Sequence, residues 1–229
     1  MGELYAVISA RQGLAFGLLL AAALGVRLAA AAVWQARQPP AAPLAFPDSE
    51  TYLELARTIS RGEPYAFGAN GARVFRAPGY PLLLAPLFAV YGGEPPIFVL
   101  RALGAVLGTA AVGLLMIAGW RLGGFLCAMA AGTIAALQPE CIAASVFLLS
   151  EAPFAPWLVL QLLLTTEALL ATSLPRARTW GVLAGAAAGV AVLIRPSWIL
   201  LLVCWGVVMW SRALMRKPAS SISAGSTEM

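Results

Sequence analysis

Apolar residues run almost unbroken over 13–34, give way to a polar stretch over 35–80, and then recur over 81–91, 97–120, 125–138, 152–171 and 180–210. A helix rises about 1.5 Å per residue and needs about 20 apolar residues to cross a hydrocarbon core roughly 30 Å thick. By that measure 13–34, 97–120 and 152–171 are long enough to cross. The piece at 81–91 covers only about 17 Å and is expected to lie partly in the interface or to lead into the next span. Arg121-Leu122-Gly123-Gly124 reads as a turn after which 125–138 returns toward Pro139-Glu140. The run 180–210 is broken only at Arg195-Pro196 and, at about 45 Å as one straight helix, is too long for a simple span. Either a break at Pro196 yields two short helices, 180–194 and 196–210, or a single tilted helix kinks there. The pattern predicts an all-α, polytopic transmembrane helical bundle of about five or six spans within a membrane domain of 1–211. A polar, serine-rich tail at 212–229 is expected to be disordered in the cytoplasm.

The polar stretch is expected to be an extracytoplasmic loop with short interfacial helices. Tyr52, Leu55, Ala56 and Ile59 fall at helical spacing, with Glu50, Glu54, Arg57 and Arg61 on other faces, so an amphipathic helix over 49–61 is expected to lie on the membrane. Gly62 ends it, and Asp48 or Ser49 is the natural N-cap after Pro47. Asn70-Gly71 between aromatic flanks at 65–75 signals a hairpin. It runs into Arg76-Ala77-Pro78-Gly79-Tyr80-Pro81.

Composition agrees with the membrane reading: 61% hydrophobic residues, 11% charged, and a mean hydropathy of +0.84. The first apolar run lacks a small-residue cleavage pattern followed by a soluble domain and is read as a retained anchor. The net charge of +5 comes almost wholly from arginine, and there is no histidine, which removes the commonest general base and metal ligand. Cys127, Cys141 and Cys204 lie far apart in apolar stretches and read as packing residues. No phosphate loop, nucleophile elbow or nucleic-acid module is present, so no nucleic-acid partner is expected. Gly181, Gly185 and Gly189 recur at four-residue steps and predict close helix packing, within the chain or against a partner. Arg11, Arg121, Arg176, Arg178, Arg212, Arg216 and Lys217 fall in short connections on the same side, with Pro175-Arg176-Ala177-Arg178 read as a basic loop. Arg37, Arg57, Arg61, Arg73 and Arg76 fall in the long loop, and this asymmetry favours cytoplasmic termini.

Four segments taken in order carry a resemblance: Asp48-Ser49-Glu50-Thr51-Tyr52-Leu53-Glu54-Leu55-Ala56, then Arg76-Ala77-Pro78-Gly79-Tyr80-Pro81-Leu82, then Leu148-Leu149-Ser150-Glu151-Ala152-Pro153-Phe154, and then 181–189 leading to Leu193-Ile194-Arg195-Pro196. Together they resemble the integral-membrane glycosyltransferases of the GT-C superfold, in the branch of protein mannosyltransferases and lipid A aminoarabinose transferases. The resemblance spans about 12–205 and corresponds to the amino-terminal half of such enzymes. It implies transfer of a sugar from a polyprenyl-phosphate carrier to an extracytoplasmic acceptor at a bacterial inner membrane. It also implies Asp48 as the catalytic base, or a group that helps hold a divalent cation. The alternative is a truncated, non-catalytic membrane module that binds a lipid carrier, or a subunit completed by a partner membrane chain.

The chemistry places demands on particular side chains. An acceptor hydroxyl must lose its proton as it attacks the anomeric carbon, and a carboxylate within about 3 Å can take it. Direct displacement with inversion is then expected. The leaving phosphate needs a partner, and the planar fork of arginine suits it, which points to Arg76 and Arg195. Arg195 interrupts an apolar run, where a central charge costs roughly 2.5–3.5 kcal/mol, so it faces protein, water or a lipid phosphate, or else snorkels at the Pro196 break. Arg27 and Arg101 read as snorkelling residues near span ends. Glu151 opens a span as a dipole-favoured terminal residue or as an inward contact to metal or acceptor. Tyr80 stacks on a sugar ring or anchors at the interface. Glu140 reads as a loop residue. Candidate metal ligands are Asp48, Glu50 and Glu151, although Glu50 can face Asp48 only if the backbone there is not helical.

Overall fold

The computed structural model describes residues 9–39, 44, 46–68, 71–73 and 76–215. Eight helices and one small hairpin account for nearly all of them. They are α1 (Ala10–Arg37), α2 (Pro47–Ser60), β1 (Ala66–Phe67), β2 (Ala72–Arg73), α3 (Gly79–Tyr91), α4 (Ile97–Leu137), α5 (Pro139–Val146), α6 (Glu151–Leu170), α7 (Leu174–Ile194) and α8 (Trp198–Met215). Four of these, α1, α4, α6 and α7, are long and apolar enough to cross a membrane, while α3 and α8 are shorter apolar helices. The protein is therefore an all-helical membrane protein.

Local chemistry sets the helix ends. Ser9 and Gln12 form a reciprocal capping box that starts α1 at Ala10, three residues before the apolar run. The longest helix, α4, is a folded hairpin. Gly123 (φ −154°, ψ 22°) and Gly124 (φ 70°, ψ −155°) leave helical space together, the second in a region open to glycine and closed to other residues. The limbs then run antiparallel and touch at glycines: a Cβ on Gly119 would lie 2.7 Å from the Cys127 carbonyl oxygen, and one on Gly132 would lie 2.5 Å from Met116 Cγ. The turn expected at Arg121–Gly124 is thus present, made by the last two of those residues.

Other boundaries differ from the sequence expectation. Pro139 and Glu140 open α5, so Glu140 sits in a first helical turn rather than a loop. Proline is tolerated there because the first-turn N–H groups have no intrahelical partner. The basic segment 175–178 is likewise not a loop. With Pro175 in its first turn, α7 begins at Leu174 and carries Arg176 and Arg178 within it. The chain does break at Pro196: Arg195 is extended (φ −138°, ψ 94°) and α8 starts at Trp198, which selects two helices over one kinked helix. Residues 212–215 of the expected tail are helical, and 216–229 lie outside the described residues.

Two apolar cores hold the chain together. In one, Ala23 of α1 packs among Val112, Met116, Ala128, Ala135 and Ala136 of the two α4 limbs. In the other, Tyr52, Leu53 and Ala56 of α2 meet Tyr80, Leu84 and Phe88 of α3, with Leu100 and Leu148 closing the cluster. The apolar face of α2 is thus spent on α3 and the bundle. The amphipathic pattern is correct, but what covers it is protein. Gly62 (φ 68°) ends α2 as expected: the Gly62 and Glu63 amides donate to the carbonyls of Ile59 and Thr58 (3.0 and 2.9 Å), closing a Schellman motif.

Arg27 and Arg101 do not snorkel. Arg27 is 1% exposed: Nη1 donates to the carbonyls of Ala23 (3.1 Å) and Ala136 (3.3 Å), and Nη2 donates to that of Ala135 (3.1 Å). It covers the carbonyl end of the second α4 limb, where an unmatched acceptor inside a membrane is costly. Arg101 is also buried and donates to Gln35 Oε1 (3.3 Å) on α1. Close approach is mediated by Gly104 and Gly108 under Ser145 of α5, and by Gly119 and Gly132, whereas Gly181, Gly185 and Gly189 have nothing within 4 Å of an added Cβ. Their stripe faces out of the chain, so the packing expected of it does not occur within the described residues.

Candidate functional site

The site begins at the first turn of α2. Pro47 occupies that turn and Phe46 is the N-cap, with no side-chain cap bond, so neither Asp48 nor Ser49 caps the helix. Ser49 is buried. Asp48, being inside the first turn, points its carboxylate sideways instead and forms an ion pair with Arg76. Glu50 is helical and exposed two residues further on, on another face, so the two carboxylates do not converge.

Arg76 is held in place from several directions. The hairpin between α2 and α3 returns the chain, pairing Ala66 with Arg73 and Phe67 with Ala72. Its loop is longer than a two-residue Asn-Gly turn, and Asn70 lies outside the described residues. The Gly68 amide donates to Glu54 Oε1 (3.2 Å), tying the hairpin to α2. Tyr65 donates its hydroxyl to the Arg76 carbonyl (2.9 Å), and the Arg76 guanidinium lies 5.8 Å from the centre of the Tyr52 ring. Burial, with a smaller contribution from Tyr52, pushes the Tyr65 hydroxyl up to about 12.

Tyr52 in turn meets Tyr80 edge to face, with ring centres 5.1 Å apart. Tyr80 is 2% exposed, so it buttresses Tyr52 and has no ring face open to a sugar; it does not act as a stacking platform or an interfacial anchor. Burial first, then the proximity of Tyr52 and Glu151, raises its hydroxyl well above the ordinary tyrosine value. Beyond Tyr80, α3 touches α7, which packs along α6.

At that junction Arg195 Nη1 donates to Glu151 Oε1 at 2.9 Å, with both side chains 43% exposed. The Arg195 guanidinium also lies 5.9 Å from the Phe154 ring centre, and Phe154 packs on Trp198 of α8. Trp198 Nε1 donates to Gln161 Oε1 at 2.6 Å, fixing the start of α8 against α6. The two arginine-bearing segments meet through backbone: a Cβ on Gly79 would lie 2.7 Å from the Leu193 carbonyl carbon and oxygen, two residues before Arg195. No larger residue fits between Arg76 and Tyr80 at that approach without displacing α7.

Four of the sequence-selected residues, Asp48, Arg76, Glu151 and Arg195, therefore belong to one assembly of two partly exposed ion pairs, Asp48–Arg76 and Glu151–Arg195, whose segments come together where Gly79 packs on Leu193 and Ile194. Tyr52 and Phe154 are its unforeseen members. Both lie within the segments the sequence singled out, and an aromatic residue four positions beyond Asp48 or three beyond Glu151 was the available signal. Among the described residues no group of three or more Cys, Asp or Glu side chains clusters as a cation site, and Asp48 and Glu151 each face an arginine. That donor set does not fit a divalent cation. No protein-family model, curated protein or solved structure matches this chain.

Proposed function

We propose that the protein handles a polyprenyl-phosphate sugar and transfers the sugar to an extracytoplasmic acceptor by inverting single displacement. The observation that carries this reading is that two carboxylate–arginine ion pairs, Asp48–Arg76 and Glu151–Arg195, lie on segments that touch where Gly79 meets Leu193. Asp48 Oδ accepts the acceptor's hydroxyl proton as that oxygen attacks the anomeric carbon. The bond from that carbon to the phosphate oxygen breaks, and the electron pair leaves on the lipid phosphate. Arg76 and Arg195 receive the developing charge. Arg76 thereby has two partners in turn: it orients Asp48 at rest, and shifts toward the donor phosphate when that anion arrives.

Helix order supports an orientation. Glu151 and Arg195 pair at one end of α6, and Glu167 and Arg121 pair at the other. The second end also lies beside Arg176 and Arg178 at the start of α7, which matches a cytoplasmic face. The network then faces outward, with cytoplasmic termini, in a bacterial inner membrane.

A second reading takes the Asp48–Arg76 pair as purely structural and the protein as a lipid-carrier-binding module that a partner membrane chain completes. It is favoured by the engagement of Asp48 with a guanidinium. Release of polyprenyl phosphate by the purified chain separates the two. Asp48→Asn keeps size while removing the base, so turnover is expected to fall by about 10²–10⁴-fold with donor binding retained. Turnover at the wild-type rate in Asp48→Asn would refute the base role; no turnover in the wild-type chain, with donor binding intact, would favour the module.

A further inference from the structure

The opposite end of the bundle carries a feature that the transfer reading does not use. Leu115, Ala118 and Leu122 form one face of the first α4 limb, and with Leu162, Thr166 and Leu170 of α6 they wall a cavity of about 300 Å³. On the opposite face, Gly113, Met116, Ile117 and Trp120 meet Phe16 and Leu20 of α1 around a second cavity of about 350 Å³. Helical periodicity separates these two sets by a fraction of a turn, so the grooves lie on either side of one helix. Arg121 lines both. Leu122 and Leu170 are strongly exposed and Ile117 half exposed, so both grooves open sideways to the surrounding lipid.

Two apolar furrows meeting at one guanidinium have the outline of a two-chain amphiphile with an anionic head. We infer that this end of α4 binds one anionic phospholipid, its acyl chains in the two furrows and its phosphate on Arg121. Charge favours that occupant over a zwitterion. Phe16 packs on Trp120 and Phe125, which brings the start of α1 and Arg11 to this end, and α7 begins here with Arg176 and Arg178. Against these and Arg121 stands Glu167, paired with Arg121. A guanidinium carries five donors and can hold a carboxylate and a phosphate together. A third cavity, lined by Arg57, Ser60 and Arg61, has no such bias, because Glu94 and Glu63 match its two arginines one for one, whereas among the described residues Glu167 stands alone against Arg121, Arg11, Arg176 and Arg178.

The test uses the full chain purified in detergent, titrated with phosphatidylglycerol and with phosphatidylcholine of identical chains, and read by native mass spectrometry. Phosphatidylglycerol is expected to bind about fivefold more tightly for the one arginine it engages. Arg121→Gln abolishes that preference. Glu167→Gln breaks the same ion pair but keeps the guanidinium, so it retains the preference and separates lipid binding from loss of the pair. Ala118→Phe fills one furrow and weakens both lipids. Equal affinity for the two lipids overturns the site, as does a preference that survives Arg121→Gln or disappears in Glu167→Gln. Unchanged binding in Ala118→Phe also overturns it, and that variant and Glu167→Gln decide the matter if Arg121→Gln does not fold.

Discussion

A buried charge is tolerable where most of its hydrogen-bond capacity is used, and Arg27 bonds through both Nη nitrogens while its Nε is left without a partner among the described residues. Its guanidinium joins three carbonyls, two of them more than a hundred residues away, and so fixes the end of one α4 limb against α1. Arg27→Leu keeps an apolar stem but strands the helix-end carbonyls of Ala135 and Ala136, and is expected to cost about 2–4 kcal/mol of stability, read as a lower unfolding midpoint in detergent. Arg27→Lys offers a point charge in place of a fork and is expected to fall between the two. Tyr65 gives a test by pH. Its hydroxyl ionises only at about 12 when folded, against an ordinary value near 10, so above pH 10 the unfolded chain releases a proton that the folded one keeps. Stability is therefore present below pH 10 and lost as pH rises toward 12. Tyr65→Phe should flatten that decline in a series of unfolding midpoints from pH 8 to 12; an unchanged slope would assign the decline to other groups. Neither residue's role was legible from its position. The apolar run around Arg27 tells how deep it lies but not that a returning helix end needs it.

At the scale of elements, the sequence announced its punctuation better than its partnerships. Gly62, Gly123-Gly124 and Pro196 each end or turn a helix where expected, because a positive φ or a missing N–H acts locally and needs no knowledge of the rest of the chain. Pro139 and Pro175 misled for the same local reason, since proline opens a helix as readily as it ends one. Which face meets which is a non-local matter. The amphipathic pattern of α2 was clear, yet α3 rather than the bilayer covers it; the glycine stripe of α7 promised contact, yet the tight approach falls at Gly79. The pairing of Asp48 with Arg76, 28 residues apart, depends on a hairpin whose presence was visible but whose register was not. Gly79→Ala probes this level. Its methyl group would collide with the Leu193 carbonyl and Ile194, neither of which is a mobile side-chain tip. The expected cost is about 1–3 kcal/mol, with loss of donor binding as Arg76 and Arg195 move apart. Normal donor binding in a folded Gly79→Ala protein would show that the two arginines act independently.

For the molecule as a whole, charge is sorted to opposite ends of the bundle, and that sorting makes orientation a chemical matter. Asp48, Arg76, Glu151 and Arg195 share one end, while Arg121, Glu167 and the arginines of early α7 share the other. The proposed base needs access to an acceptor outside the cell, and the inferred lipid site takes its charge preference from the basic end. The base role requires its own end to face outward and the basic end to face the cytoplasm, and one experiment tests that sidedness without assaying transfer. With Cys127, Cys141 and Cys204 replaced by serine, a single cysteine introduced at Glu63, just after α2, is expected to react with a membrane-impermeant maleimide in intact cells. One at Thr172, between α6 and α7, is expected to react only after permeabilisation. Glu63 and Thr172 are both exposed and lie outside the membrane-crossing helices, so labelling reports sidedness rather than burial. The reverse pattern would turn the Asp48 end toward the cytoplasm, leaving the carboxylate with no extracytoplasmic acceptor and setting the basic end against the positive-inside bias.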